Sequence, residues 1–161
     1  MKILIASLAL AGATLVAVAD EPKSAVTVNR KSEQKIVPGP EQYFTGRVQI
    51  AGLFERAEPS RLTGAIVTFE PAARTAWHIH PAGQTLIVTR GIGFVQQWGG
   101  ARQEIREGDM VWIPPGVKHC HGASPGETMS HVAIQEKLGG TNVEWLEHVT
   151  DAQYRGEKLP H

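Results

Sequence analysis

From Tyr43 onward, short apolar runs alternate with turn residues, and no stretch sustains a helical period. Leu62 to Phe69 is the clearest run, with Ala65, Val67 and Phe69 on one face and Ile66 and Thr68 on the other. That period of two marks a half-buried strand, and Glu70-Pro71 ends it because proline removes a ladder donor. Residues 44–54 read as one strand or a pair of short ones, before a turn at Glu58-Pro59-Ser60. Residues 91–97 form a later strand, and Gly99-Gly100 is a two-residue hairpin signal into residues 102–106. Residues 110–113 are apolar and run into the tight turn Pro114-Pro115-Gly116. Residues 118–121 and 128–135 give two more strands, joined by Ser124-Pro125-Gly126. Residues 143–149 suit strand or helix, and Thr150-Asp151-Ala152-Gln153 has the capping-box form that starts a final helical turn. The pattern predicts an all-β barrel with a short C-terminal helical turn. It contains no internal repeat and no nucleotide-type glycine motif.

The N-terminal part departs from this pattern. Lys2 precedes a run of apolar and small residues, closed by Ala17-Val18-Ala19 before Asp20, the form of a signal peptide with its cleavage site. Small residues dilute the run, which argues against an uncleaved membrane anchor. Residues 1–19 are therefore expected to be a signal peptide, and the mature chain a periplasmic or secreted protein. Residues 20–42 are polar and carry Pro22, Pro38 and Pro40, as an extended tail or linker does. Residues 43–161 make the single domain.

Composition narrows the function classes. The chain of 161 residues is 42% hydrophobic, which supports one globular core. Its 16 basic and 16 acidic side chains give no electrostatic footprint for nucleic acid or an anionic membrane. Cys120 is the single cysteine, so no internal disulfide framework exists. Alternation turns it away from the face of His119 and His121, as a packing residue, and Lys118 points outward by the same parity. Trp77, Trp98, Trp112 and Trp145 are expected in the core or a pocket wall, and Glu70 and Arg74 as a pair near the barrel mouth.

The chemistry concentrates in residues 77–91, WHIHPAGQTLIVTRG. In an extended chain His78 and His80 leave the same face, and a turn through Pro81, Ala82 and Gly83 can bring Gln84 beside them. His119 follows the second turn. Three neutral imidazoles and one amide oxygen suit a first-row divalent metal with positions left open for a substrate. A glutamine ligand leaves the ion's charge whole, which favours Lewis-acid chemistry over redox chemistry. His121 shares the face of His119, and His131 lies on what reads as the adjoining strand with Ala133 and Gln135 on its face. These two rings are candidates either to orient the ligands or to exchange a proton. His148 and His161 are expected to be solvated.

The spacing His78-x-His80-x3-Gln84-x6-Gly91, with Gly108-x5-Pro114-x-Gly116-x2-His119, resembles the two motifs of the cupins, with Gln84 where most cupins carry glutamate. The stretches Tyr43-Phe44-Thr45-Gly46, VTFEP at 67–71, RTAWHIHP at 74–81, GQTLIVT at 83–89 and EHVTDAQY at 147–154 further resemble the small manganese-dependent (R)-selective hydroxynitrile lyase cupins. The resemblance implies a double-stranded β-helix, or jelly-roll, barrel. It also implies a homo-oligomer, a dimer or tetramer, in which an N-terminal strand packs on a neighbouring subunit. For the site it implies manganese on His78, His80, Gln84 and His119, with iron, nickel or zinc as alternatives. Activity would rest on His121 and His131, in a small-molecule pocket shaped by Ala65, Val67 and Gln135. The reaction expected is cleavage and synthesis of cyanohydrins. A cupin dioxygenase or oxidase, and a non-catalytic exported metal- or ligand-binding module, are the competing expectations.

Overall fold

The protein is described here by a computed structural model covering residues 25–56 and 58–157. The expected signal peptide at 1–19 and His161 lie outside these residues. Among the described residues thirteen strands follow in chain order. The first five are β1 (Val37–Pro38), β2 (Phe44–Thr45), β3 (Val48–Glu55), β4 (Leu62–Phe69) and β5 (Arg74–Thr75). Next come β6 (His78–Ile79), β7 (Gln84–Arg90), β8 (Ile92–Gln97) and β9 (Arg102–Arg106). The last four are β10 (Met110–Ile113), β11 (His119–Ala123), β12 (Met129–Glu136) and β13 (Glu144–Trp145), before the single-turn helix α1 (Asp151–Tyr154).

The strands make two antiparallel sheets that face each other. One has the order β1-β3-β4-β12-β7-β10. In the other, β11 pairs with β8 along one edge and with β5 and β6 along the opposite one. Alternation along the six-stranded sheet directs Ala65, Val67, Phe69, Leu86, Val88 and Ala133 into the interior, all buried. Each of the larger ones, Val67, Phe69, Leu86 and Val88, contributes roughly 1.5–3 kcal/mol on burial. Gly91 turns β7 into β8 with φ of 75°, where an added Cβ would sit 2.0 Å from the Thr128 carbonyl oxygen. Only glycine fits there.

A smaller cluster of Trp77, Cys120, Val149 and Tyr154 lies on the other face of the second sheet. The C-terminal segment covers it. Thr150 Oγ1 accepts from the Gln153 backbone N–H at 3.2 Å, and the Thr150 N–H donates to Gln153 Oε1 at 2.8 Å, so the capping box forms. Arg74 does not pair with Glu70. Its guanidinium donates to the Val149 carbonyl at 3.0 and 2.9 Å and to Asp151 at 2.6 Å, pinning that segment across the sheet. The C-terminal carbonyl and carboxylate outbid Glu70 because they converge on one buried fork.

Residues 44–54 form a pair of strands, one of the two expected arrangements, split at Gly46, whose φ is 80°. Other departures are local. The tail supplies β1, which pairs with β3 at the sheet edge. Residues 143–149 hold only the short β13, and the β8–β9 hairpin spans 98–101 rather than two residues. Trp112 is 59% exposed and Trp98 42% exposed, so neither is core or pocket wall. Trp112 alternates with the buried Ile113 and so falls on the outer face of its sheet.

Candidate functional site

Two turns bring the ligand candidates together. His78 and His119 are directly opposed in register between β6 and β11. The His80 carbonyl accepts from the N–H groups of both Gly83 (3.2 Å) and Gly116 (3.1 Å), tying the two motif turns to one point. Gly83 has φ of 81°, and an added Cβ would meet the Trp112 ring at 2.6 Å. This close turn starts β7 with Gln84 facing inward. One potential ligand nitrogen from each of His78, His80 and His119 lies within 4.8 Å of the others, and all three rings are buried.

Backbone carbonyls fix the state of these rings. Nδ1 of His78 lies 3.0 Å from the Ala76 oxygen, Nδ1 of His80 2.5 Å from the Asn142 oxygen, and Nδ1 of His119 2.8 Å from the Val117 oxygen. A carbonyl only accepts, so each Nδ1 carries the hydrogen and each Nε2 keeps a bare lone pair. Burial lowers the pKa of all three, His119 to about 4, so none of them holds a second proton near neutrality. His80 Nε2 is buried with no partner among the described residues. Gln84 Oε1 stands 3.2 Å from His119 Nε2. Two lone-pair donors facing each other at that distance, beside two more imidazoles, form a set a divalent cation satisfies and the protein alone does not.

Behind this cluster the interior changes character layer by layer. Gln84, Gln135 and Thr63 lie side by side across β7, β12 and β4. The next row is Leu86, Ala133 and Ala65, and the one after is Val88, His131 and Val67. Ala65 and Val67 therefore face the barrel interior from β4, Ala65 between the amide row and the row of His131, and Val67 level with His131. His131 does not sit beside His121 on an adjoining strand. β11 and β12 belong to opposite sheets, and the rings meet across the interior with His131 Nε2 3.2 Å from His121 Nδ1. The chain leaves one sheet for the other between these consecutive strands, a crossover that alternation cannot reveal.

The His121 ring centroid is 5.2 Å from that of His78 and 5.9 Å from that of Phe69, so it bridges the ligand cluster and the apolar interior. Burial, together with the neighbouring rings for His121, keeps both side chains neutral, His131 with a pKa of about 4. Cys120 packs away from the site, and burial pushes its thiol up to about 12. Lys118 points outward, pairs with Glu147 and caps the Trp98 ring at 3.5 Å. His148 is exposed.

Two residues at the site, Thr63 and Asn142, escape a reading of motifs, whereas Trp145 stands where a core or pocket-wall residue was expected. Trp145 lies 4.8 Å from the His78 ring and stacks on Tyr43 at 4.6 Å. Asn142 supplies the carbonyl that holds His80, and its side chain donates to Thr63 Oγ1 at 2.9 Å. Thr63 was within reach, since it is two residues before Ala65 on the same strand face. Asn142 sits in an irregular segment and carries no such signal.

Residues 65–134 match the cupin domain family. An (R)-mandelonitrile lyase of Granulicella tundricola is 56% identical over 128 residues, covering 80% of this chain and 98% of that protein. Among solved structures, a cupin-like protein of Thermotoga maritima superposes with a TM-score of 0.69 at 41% identity, over 74% of this chain and 92% of that one. A cupin-2 domain protein of Rhodospirillum rubrum, 15% identical, matches in fold with a TM-score of 0.61, over 78% of this chain and 82% of that one.

Proposed function

The chain belongs to the cupin family, and from that premise we propose that it is a metal-dependent hydroxynitrile lyase, with His78, His80, Gln84 and His119 as ligands. The observation that carries this reading is the meeting of two sets in one barrel interior: a buried cluster of unshared lone pairs and a neutral histidine pair beside small apolar residues. The named activity of the 56% identical relative supports it. Manganese is the ion proposed, with iron, nickel or zinc as alternatives. When bound, a divalent ion supplies Lewis acidity, undiminished because Gln84 brings no negative charge.

The chain's own residues supply the proton traffic. His121 and His131 share one hydrogen, leaving His121 Nε2 and His131 Nδ1 without partners among the described residues. With His121 Nδ1–H donating to His131 Nε2, His121 Nε2 is a bare acceptor. With the hydrogen bond reversed, His121 Nε2 carries a hydrogen and donates. One ring pair thus serves as base in one direction and acid in the other, as a reversible addition requires. In cleavage, the pair takes the hydroxyl proton of the cyanohydrin. The carbon–carbon bond to the nitrile breaks with its electron pair leaving on cyanide. The pair returns the proton, giving aldehyde and hydrogen cyanide. Ala65 and Val67 leave room for the aldehyde side chain, with Gln135 at the polar rim.

Metal-loaded protein incubated with mandelonitrile should release benzaldehyde, and chelation should abolish the release until metal is restored. Equal rates before and after chelation sink the metal reading. Oxygen uptake with a phenolic or diketone substrate and no benzaldehyde would point to a cupin oxidase instead.

We further infer export of the mature chain from the form of residues 1–19. Self-association into a dimer or tetramer is proposed from the outer face of the six-stranded sheet. Ile66, Met110 and Trp112 are exposed there, an apolar set that a second copy could cover. Light scattering after size exclusion tests this, and a monomer throughout would refute it.

A further inference from the structure

Gln84 faces a choice that a glutamate would not. Its carboxamide can present oxygen to the ligand cluster, or turn over and donate N–H to the bare Nε2 of His119, 3.2 Å from its present oxygen. The second arrangement makes a good internal hydrogen bond and aims N–H at the place of a cation. Nothing in Gln84 itself decides between them.

The decision is made two residues away. Thr63 Oγ1 lies 3.2 Å from the Gln135 backbone carbonyl, 3.0 Å from Gln135 Nε2 and 2.9 Å from Asn142 Nδ2. A carbonyl only accepts, so the single Thr63 hydroxyl hydrogen goes to it. The hydroxyl oxygen is left with acceptor capacity alone, and both neighbouring amides must offer it N–H. Gln135 therefore shows its oxygen to the other side, where Gln84 Nε2 donates to Gln135 Oε1 at 3.3 Å. Gln84 Oε1 is the atom that remains, and it faces the imidazoles.

We infer that Thr63 is a positioning residue for the metal site, setting the direction of an amide relay, Thr63–Gln135–Gln84, that keeps the Gln84 oxygen toward the ion. The inference rests on the reading of His78, His80, Gln84 and His119 as ligands. The same hydroxyl accepts from Asn142, whose backbone carbonyl holds His80, so one threonine braces two of the four ligands. Asn142→Asp, which offers Thr63 an acceptor in place of a donor, belongs to the same relay.

Manganese(II) chloride titrated into chelator-stripped protein, followed by loss of the free-ion electron paramagnetic resonance signal, separates the possibilities. Thr63→Val keeps the shape and removes the hydroxyl, and should weaken binding about ten- to a hundredfold, the range for residues that orient ligands. Thr63→Ser should restore it. In a Gln84→Glu background, whose carboxylate shows oxygen whichever way it turns, Thr63→Val should cost clearly less, leaving only the part that runs through Asn142 and His80. Wild-type affinity in Thr63→Val overturns the relay, and so does an equal loss in both backgrounds, which marks a merely structural role. Failure of the wild-type chain to bind manganese overturns the ligand reading itself and the relay with it. Should Thr63→Val not fold, Thr63→Ser against Asn142→Asp decides: affinity kept by the first and lost by the second is expected, and affinity kept by both overturns the relay.

Discussion

His121 Nδ1 and His131 Nε2 lie 3.2 Å apart across the barrel interior, and the outward nitrogen of each ring has no partner among the described residues. Such a pair is held neutral at a cost that appears in acid. Burial lowers the pKa of His131 to about 4, whereas in the unfolded chain it titrates near ~6.5. Between these values the unfolded state binds a proton that the folded state does not. The His131 contribution to the stability of the metal-stripped protein should therefore be lost as pH drops through this window, by on the order of a few kcal/mol, in addition to the losses from the other buried imidazoles. Urea unfolding at a series of pH values checks this. His131→Gln should give a shallower slope, and an unchanged slope would remove His131 as its source.

Metal should stabilise the fold. A folded cluster of four preset donors binds an ion that the unfolded chain holds poorly, so manganese at a hundredfold excess over its dissociation constant adds about 2.7 kcal/mol. Thermal unfolding of stripped protein with and without manganese measures this. His80→Ala should lose the increment, since it removes a buried Nε2 with nothing else to bind.

Gln84→Glu should tighten metal binding while slowing cyanohydrin cleavage, because the added negative charge lowers the ion's Lewis acidity. Equilibrium titration and steady-state kinetics on the same preparation test the opposition of the two effects. A rate that rises with affinity would mean that charge at this position is not what limits the reaction.

Arg74 tests the C-terminal clasp independently of the chemistry. Its buried guanidinium makes two bonds to the Val149 carbonyl and one to Asp151. Arg74→Met leaves that carbonyl unpaired and should cost about 1–3 kcal/mol, with manganese affinity little changed. Chemical denaturation alongside metal titration reads both.

What was legible in the sequence follows periodicity and turn chemistry. Leu62–Phe69 and Met110–Ile113 have the bounds their patterns predict, because a turn precedes each and a proline closes it. The capping box at Thr150 and Gln153 forms as spelled, since it is a local hydrogen-bond pattern. The juxtaposition of His78, His80, Gln84 and His119 follows from two short-range turns. Long-range partners were not legible. Arg74 takes Asp151, 77 residues away, over the nearby Glu70, and His131 faces His121 from the opposite sheet. Thr63 and Asn142 stayed hidden because their role is a hydrogen-bond direction, which exists only once strands are in register.

The account's central claim is that ligand cluster and histidine pair are separable halves of one lyase site. Manganese content and mandelonitrile cleavage, measured together on wild type, His121→Ala and His119→Ala, test it most directly. His121→Ala should keep its manganese and lose about a hundredfold or more in kcat, the usual worth of a positioned acid–base group. His119→Ala should lose both. Full activity in His121→Ala, or cleavage by a manganese-free His119→Ala protein at the wild-type rate, would contradict the account.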